Sequence, residues 1–325
     1  MLIVHDENKN LINLLEIEIS QLKGKFFCPA CHSEVRLKNG NIKIPHFSHI
    51  SLKECHSWSE NESAQHLGLK LALYKWFART EKVKIEHYLP ELEQTPDLLV
   101  NEKIAIEVQC SHLSIKRLWE RTENYRKHGY QVIWLMGHDL WIKKSLTQLQ
   151  KNLMYFSKNR GFYFWECDLA QEKIRLKSLL HENLRGHVIF HLEEFNFFQG
   201  NLLEILRLPF LSQKLLSIPV TRDKNLSHYI RQQLFHRNPK WLKLQEKYYQ
   251  NGQNLLSVSF ERPTYAPVGL HLLENIFDSS VKKNFCQISQ DLTNYYQNYW
   301  ENWQKKSAQK VYPPAFYDKI INRLK

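Results

Sequence analysis

The sequence predicts a mixed α/β (α+β) chain in three parts: a β-rich module over residues 1–57, a core over 58–145, and a mixed, then mainly helical region over 146–325. Three observations predict that order. Short strand-like runs separated by turn residues crowd the N-terminal segment. Residues 60 to 136 read helix, strand, strand, strand, helix, strand. Beyond about residue 200 the apolar spacing turns largely helical.

In the first part, "LIVH" and "LINLLEI" flank the turn "DENKN", and "KFFCPACHSEVRLKNGNIKIPHFSH" alternates around a second turn at "KNGN". A helix follows from about Glu60 to Arg79, with Leu67, Leu71 and Tyr74 along one side and Leu69, Leu73 and Trp76 beside them. Three extended segments come next, "KVKIEHYL", "DLLV" and "KIAIEVQC". "SIKRLWERTENYRKHG" reads as a capped helix, with Ser114 as N-cap and Gly129 at C′. Its apolar stripe is Ile115, Leu118, Trp119, Thr122 and Tyr125, and the strand "YQVIWLM" follows at once. "FYFWECDL", "KIRLKSLL" and "HVIFHLEEF" read as strands, and "TNYYQNYWENWQKKSAQ" and "AFYDKIINRLK" as closing helices.

The 325 residues suffice for two or three ordinary cores. A hydrophobic share of 43%, a charged share of 24% and only 10 glycines mark a globular chain and exclude a disordered or fibrous one. The net charge of +12 points to a polyanionic partner, nucleic acid or an anionic membrane face, though charge also serves solubility. "MLIVHDENKN" turns polar too soon for a signal peptide, and no apolar run reaches the length of a membrane span. Three of the six cysteines crowd one short segment and the rest are scattered, which is no disulfide framework; a cytoplasmic location is expected.

Two carboxylates stand among β-formers in "TPDLLVNEKIAIEVQ". Side chains alternate faces along a strand, so Ile104, Ile106 and Val108 point one way and Ala105, Glu107 and Gln109 the other. Matching apolar faces pairs Val100 with Ile104 and Leu98 with Ile106 around the loop Asn101-Glu102-Lys103. Asp97 then lies opposite Glu107, their Cβ atoms roughly 5 Å apart. Like charges so placed repel, and partial burial sharpens the repulsion. A proton on one carboxylate, a cation between them, or a shared divalent ion would offset it, and hard oxygen ligands suit Mg²⁺ or Mn²⁺. Gln109, on the face of Glu107, is placed to orient a water or a phosphate. The competing reading is an exposed face on which both acids are merely solvated.

"CPAC" at 28–31 sets two thiols at the spacing of a zinc knuckle, "HFSH" at 46–49 repeats that spacing with imidazoles, and Cys55 follows. Thiolates and imidazoles suit Zn²⁺ in a closed tetrahedral site, which would make residues 1–57 a zinc-ribbon-like module. Five candidates compete for four places: Cys28, Cys31 and His49, with His46 or Cys55 as the fourth. A structural metal would help so short a segment fold. The alternative is two buried thiols and loop histidines.

The order helix–strand–strand–strand–helix–strand, with "PD" at 96–97 and "EVQ" at 107–109, resembles the PD-(D/E)XK, restriction-endonuclease-like nuclease core. More closely, the chain resembles the competence protein CoiA family, through "CPAC", "HFSH", "SENESAQH", "TPD", "IEVQ" and "RTENYRKHGYQVIWL" over roughly residues 1 to 140. The resemblance implies action on incoming DNA during natural transformation and recombination, by a metal-dependent nuclease that hydrolyses phosphodiester bonds. It implies that Asp97 and Glu107 hold the ion, that Glu62 completes the site, and that Gln109 stands where the pattern has Lys. A neutral amide supplies no charge to a phosphorane, so Lys103, Arg117 or Arg121 is the expected substitute. Arg117, Arg121 and Tyr125 share one helical side. Ser59-Glu60-Asn61-Glu62 also reads as a capping box, and His66, one turn on, either reaches the same pocket or packs. The rival reading, kept open by the missing Lys, is a non-catalytic, single-stranded DNA-binding recombination factor that assists the recombinase.

Residues 222 to 249 interleave Arg222, Lys224, Arg231, Arg237, Lys240, Lys243 and Lys247 with Tyr229, Phe235, Trp241 and Tyr248. Cations grip phosphates and rings stack on unpaired bases, which would suit single-stranded DNA. The same spacing suits amphipathic helices with aromatic cores, and "NYYQNYWENWQ" carries the same two readings.

Overall fold

Turn chemistry shapes the N-terminal segment. The Asp6 carboxylate accepts the amides of Asn8 and Asn10 at 2.9 and 2.8 Å and closes the first hairpin, β1 (Ile3–His5) with β2 (Leu11–Asn13). β3 (Phe26–Phe27), β4 (Glu34–Lys38) and β5 (His46–His49) complete an antiparallel sheet in the order β2-β1-β3-β4-β5. Val4, Phe26, Cys28, Val35 and Phe47 form its small core. The computed structural model describes residues 1–51, 63–273, 285–305 and 309–322.

Helix α1 (Ala64–Phe77) is capped by Ser63, whose hydroxyl accepts the His66 amide at 3.1 Å. The Ser59–Glu62 capping box lies outside the described residues. β6 (Val83–Ile85), β7 (Leu98–Val100), β8 (Ile104–Gln109), α2 (Ile115–Lys127) and β9 (Gln131–Met136) follow, giving the expected αβββαβ order. β6, β7 and β8 pair antiparallel, whereas β8 and β9 run parallel because α2 carries the chain across between them. Every residue of β8 is buried, as suits a central strand covered on both faces. α2 begins at Ser114, whose hydroxyl accepts the Arg117 amide at 3.2 Å. It ends in a Schellman turn: Gly129 has φ +78°, the Tyr130 amide reaches the Tyr125 carbonyl, and the Gly129 amide reaches Arg126.

Beyond the core the chain runs through α3 (Gln148–Leu153), β10 (Tyr155–Ser157), β11 (Gly161–Asp168), β12 (Lys173–Asn183), β13 (Val188–Asn196), α4 (Leu202–Arg207), β14 (Ile218–Pro219), α5 (Leu226–Phe235), α6 (Pro239–Gln250), β15 (Tyr265–Pro267), α7 (Thr293–Lys305), β16 (Lys310–Val311) and α8 (Pro314–Asn322). Packing divides the chain into two units. One comprises Met1–Ile142, Trp165–Leu176 and Leu192–Leu208; the other comprises Lys143–Phe164, Lys177–His191 and Pro209–Lys325.

In the first unit β11 joins the far side of β9, in parallel, at Glu166 opposite Met136. The returning segment before α4 seals one face of α1. Trp76 packs against Phe197 and Phe198, and its indole N–H donates to the Gly200 carbonyl at 2.9 Å.

In the second unit α5 and α6 meet through Leu226, Ile230, Trp241 and Leu244. The basic residues of 222–249 stay at the surface around that core, apart from half-buried Lys247. α7 buries Tyr295, Tyr296 and Tyr299, with Tyr296 and Tyr299 donating to the carbonyls of Val268 and Tyr265, both at 2.7 Å. These rings are core, which answers the ambiguity of "NYYQNYWENWQ"; of those named in residues 222–249, Phe235 alone is strongly exposed, at 83%. No described helix is long and apolar enough to cross a membrane.

Candidate functional site

The β7–β8 register is the one read from apolar matching: Leu98 opposite Ile106, Leu99 opposite Ala105 and Val100 opposite Ile104. Asn101 and Glu102 take φ +50° and +58° to close the three-residue turn. One residue further along, Asp97 comes level with Glu107. Neither acid is a solvated surface group: the Asp97 side chain is 14% exposed and that of Glu107 3%.

Each carboxylate has its own partners. Asp97 Oδ2 accepts the Val108 amide at 2.9 Å and lies 3.1 Å from His66 Nε2, while Oδ1 lies 3.6 Å from Lys70 Nζ. Glu107 Oε1 accepts from Arg121 Nη2 at 2.5 Å and from the Tyr125 hydroxyl at 2.6 Å. The two acids therefore titrate apart. Burial works to raise Asp97, but the charges of His66 and Lys70 and the bonds from His66 and Val108 outweigh it and hold the carboxyl at about 2. Burial pushes Glu107 up to about 7; Arg121 opposes that rise and the negative charge of Asp97 adds to it. The repulsion expected from the sequence is met by placed cations and a raised Glu107.

Both acids line a cavity of about 130 Å³, together with His66, Lys70, Gln109, Arg117 and Arg121. His66 thus reaches the pocket, and Arg117 and Arg121 both face it. Lys103 sits in the exposed turn. The Gln109 amide donates to the Ser111 carbonyl at 3.0 Å. Tyr125, which belongs both to the apolar stripe of α2 and to the side shared with Arg117 and Arg121, is buried and donates its hydroxyl to Glu107. Glu62 lies outside the described residues.

Two further groups escaped the sequence reading. Lys70 is 1% exposed, midway along α1, and pairs with buried Glu86. α1 is apolar around most of its circumference, so a Lys in mid-helix among leucines is a candidate for burial beside a paired acid; that was the available signal, although Lys75 of the same helix is exposed. Glu86 gave none, because its role depends on β1 lying against it.

In the N-terminal module, the donor atoms of Cys28, Cys31 and His49 all lie within 4.8 Å of one another, with Cys31 Sγ 3.3 Å from His49 Nε2. Two sulfurs and an imidazole so gathered can hold a metal ion. Burial pushes the Cys28 thiol up to about 12, so the thiolate needs a cation beside it. His46 is not brought in. It sits three residues from His49 on one strand, hence on the opposite face, and its Nδ1 lies 2.9 Å from the Ile44 carbonyl. Cys55 lies outside the described residues. Cys28 and His49 line the same cavity as the two acids.

Residues 11–57 match the model of the N-terminal domain of competence protein CoiA, and residues 62–207 match that of its nuclease-like domain. The chain belongs to the competence protein CoiA family. The competence protein CoiA of Bacillus subtilis (strain 168) is 36% identical over 119 residues, which is 35% of this chain and 32% of that protein. The match thus spans about a third of the length of that curated relative. No solved structure matches. The nuclease-like domain of the CoiA family ends here at residue 207, beside the Leu208 that closes the first structural unit.

Proposed function

We propose that this CoiA family member acts on incoming DNA during natural transformation and recombination, as a metal-dependent nuclease with a PD-(D/E)XK core. Asp97 and Glu107 would hold Mg²⁺ or Mn²⁺, and Cys28, Cys31 and His49 would hold a structural Zn²⁺ with a fourth ligand. The observation that carries the reading is the cavity in which two buried carboxylates meet His66, Arg117 and Arg121. Oxygen ligands for a hard cation and donors for phosphate oxygens are there in one place. A divalent ion bound there would polarise a phosphate oxygen and help generate hydroxide. The chain's own groups bind and orient: the Val108 amide and His66 fix Asp97, Tyr125 fixes Glu107, and the arginines face phosphate charge. The net charge of +12 suits a polyanionic substrate.

The test is incubation with single- and double-stranded DNA in Mg²⁺ or Mn²⁺, beside an Asp97→Ala variant. Cleavage by the parent that is lost in the variant supports the enzyme. Retarded DNA without cutting supports the second reading, a DNA-binding recombination factor that assists the recombinase. Two observations favour that rival: position 109 carries a neutral amide bonded to Ser111, and Glu107 Oε1 already takes Arg121 and Tyr125.

A further inference from the structure

Glu86 is 7% exposed and accepts from three donors. Its Oε2 takes the amides of Leu2 and Ile3, the latter at 3.0 Å, and its Oε1 takes the Lys70 ammonium. Lys70 lies between two carboxylates: it is hydrogen-bonded to Glu86 and 3.6 Å from Asp97 Oδ1. The backbone at Glu86 has φ +46°, a conformation that favours glycine, and its amide donates to the Asp97 carbonyl at 3.0 Å. The chain thus keeps a carboxylate where its backbone would prefer Gly, and ties that residue directly to Asp97.

An ammonium beside a would-be cation ligand is a competitor for it. Without the pull of Glu86, the buried ammonium would shift toward Asp97 and crowd Oδ1. We propose that Glu86 is a positioning residue: it draws the Lys70 ammonium to itself, so that Asp97 Oδ1 stays open to a divalent cation. This rests on the reading of Asp97 and Glu107 as cation ligands. The β1 amides fix the Glu86 carboxylate, so docking of the N-terminal module sets how firmly Lys70 is held away.

The experiment is calorimetric titration of the zinc-loaded 325-residue chain with Mn²⁺. Parent, Asp97→Ala, Glu86→Gln, Lys70→Met and the Glu86→Gln/Lys70→Met double variant are compared, with zinc content and circular dichroism recorded for each. Glu86→Gln should weaken Mn²⁺ binding by about tenfold or more, because a neutral amide releases Lys70 onto Asp97. Lys70→Met should bind Mn²⁺ at least as tightly as the parent. The double variant should recover the affinity that Glu86→Gln loses, a rescue that mere damage to packing would not produce. Unchanged affinity in Glu86→Gln, or a loss in folded Lys70→Met, overturns the proposal. If Glu86→Gln does not fold, Lys70→Met alone decides it by the same criterion. A parent that binds no Mn²⁺, or binds it equally with Asp97→Ala, overturns the cation-site reading itself and this proposal with it.

Discussion

Replacing Asp97 with Asn removes the charge and keeps the shape. In the folded chain that carboxylate accepts the Val108 amide, pairs with His66 and lies 3.6 Å from the Lys70 ammonium, and it is held at about 2 against an ordinary 3.8. The shift is equivalent to about 2 kcal/mol of folding stability. Because the folded value is depressed, that stability is fully present above the unfolded value and is lost as the pH falls through the folded one. Urea denaturation of parent and Asp97→Asn at pH 7, without divalent ions in the buffer, should therefore differ by about 2 kcal/mol in favour of the parent. The gap should shrink mainly between about pH 4 and about pH 2. Hydrogen exchange at the Val108 amide gives a local reading of the same change, since that N–H donates to Asp97. An Asp97→Asn variant equal to or more stable than the parent at pH 7 would refute the reasoning. It would show that repulsion from Glu107 exceeds the attraction of His66 and Lys70.

Tyr125→Phe deletes the hydroxyl that donates to Glu107 Oε1 at 2.6 Å and should cost about 1.5 kcal/mol, read by urea denaturation. Glu107 is held near 7 and must lose its proton to hold a cation, so Mn²⁺ affinity should rise about tenfold per pH unit up to about 7 and then level off in calorimetric titrations. Gly137→Ala sets a Cβ 2.5 Å from Cys110 Sγ and 3.2 Å from Cys110 Cα, a clash that should cost about 1–3 kcal/mol and lower the melting temperature. Cys28→Ser should remove about one zinc per chain by elemental analysis and loosen the N-terminal sheet, because three sulfur and nitrogen donors gather around one point there.

The β7–β8 register and the facing acids were legible because matching Leu98 and Val100 with Ile106 and Ile104 leaves a common three-residue turn between the strands. The limits of α2 were legible because Ser114 and Gly129 act locally. What escaped depends on tertiary neighbours. Lys70 looks like a surface residue unless the face of α1 that carries it is known to be buried, as the face that carries Lys75 is not. Glu86 acquires its role from the amides of Leu2 and Ile3, more than eighty positions away. His46 was misleading because a two-residue gap that gathers ligands on a turn, as at Cys28 and Cys31, throws them to opposite faces on a strand.

The first unit is built from three separated stretches of chain, the last ending at Leu208. A ribosome making this protein therefore releases both acids, and the helix above them, well before the residues that finish their surroundings. Until Phe197, Phe198 and Gly200 emerge, Trp76 has an open apolar flank and an indole N–H without its carbonyl. The nascent chain is then sticky at one defined spot, and a fragment clipped after Ile142 keeps that spot for good.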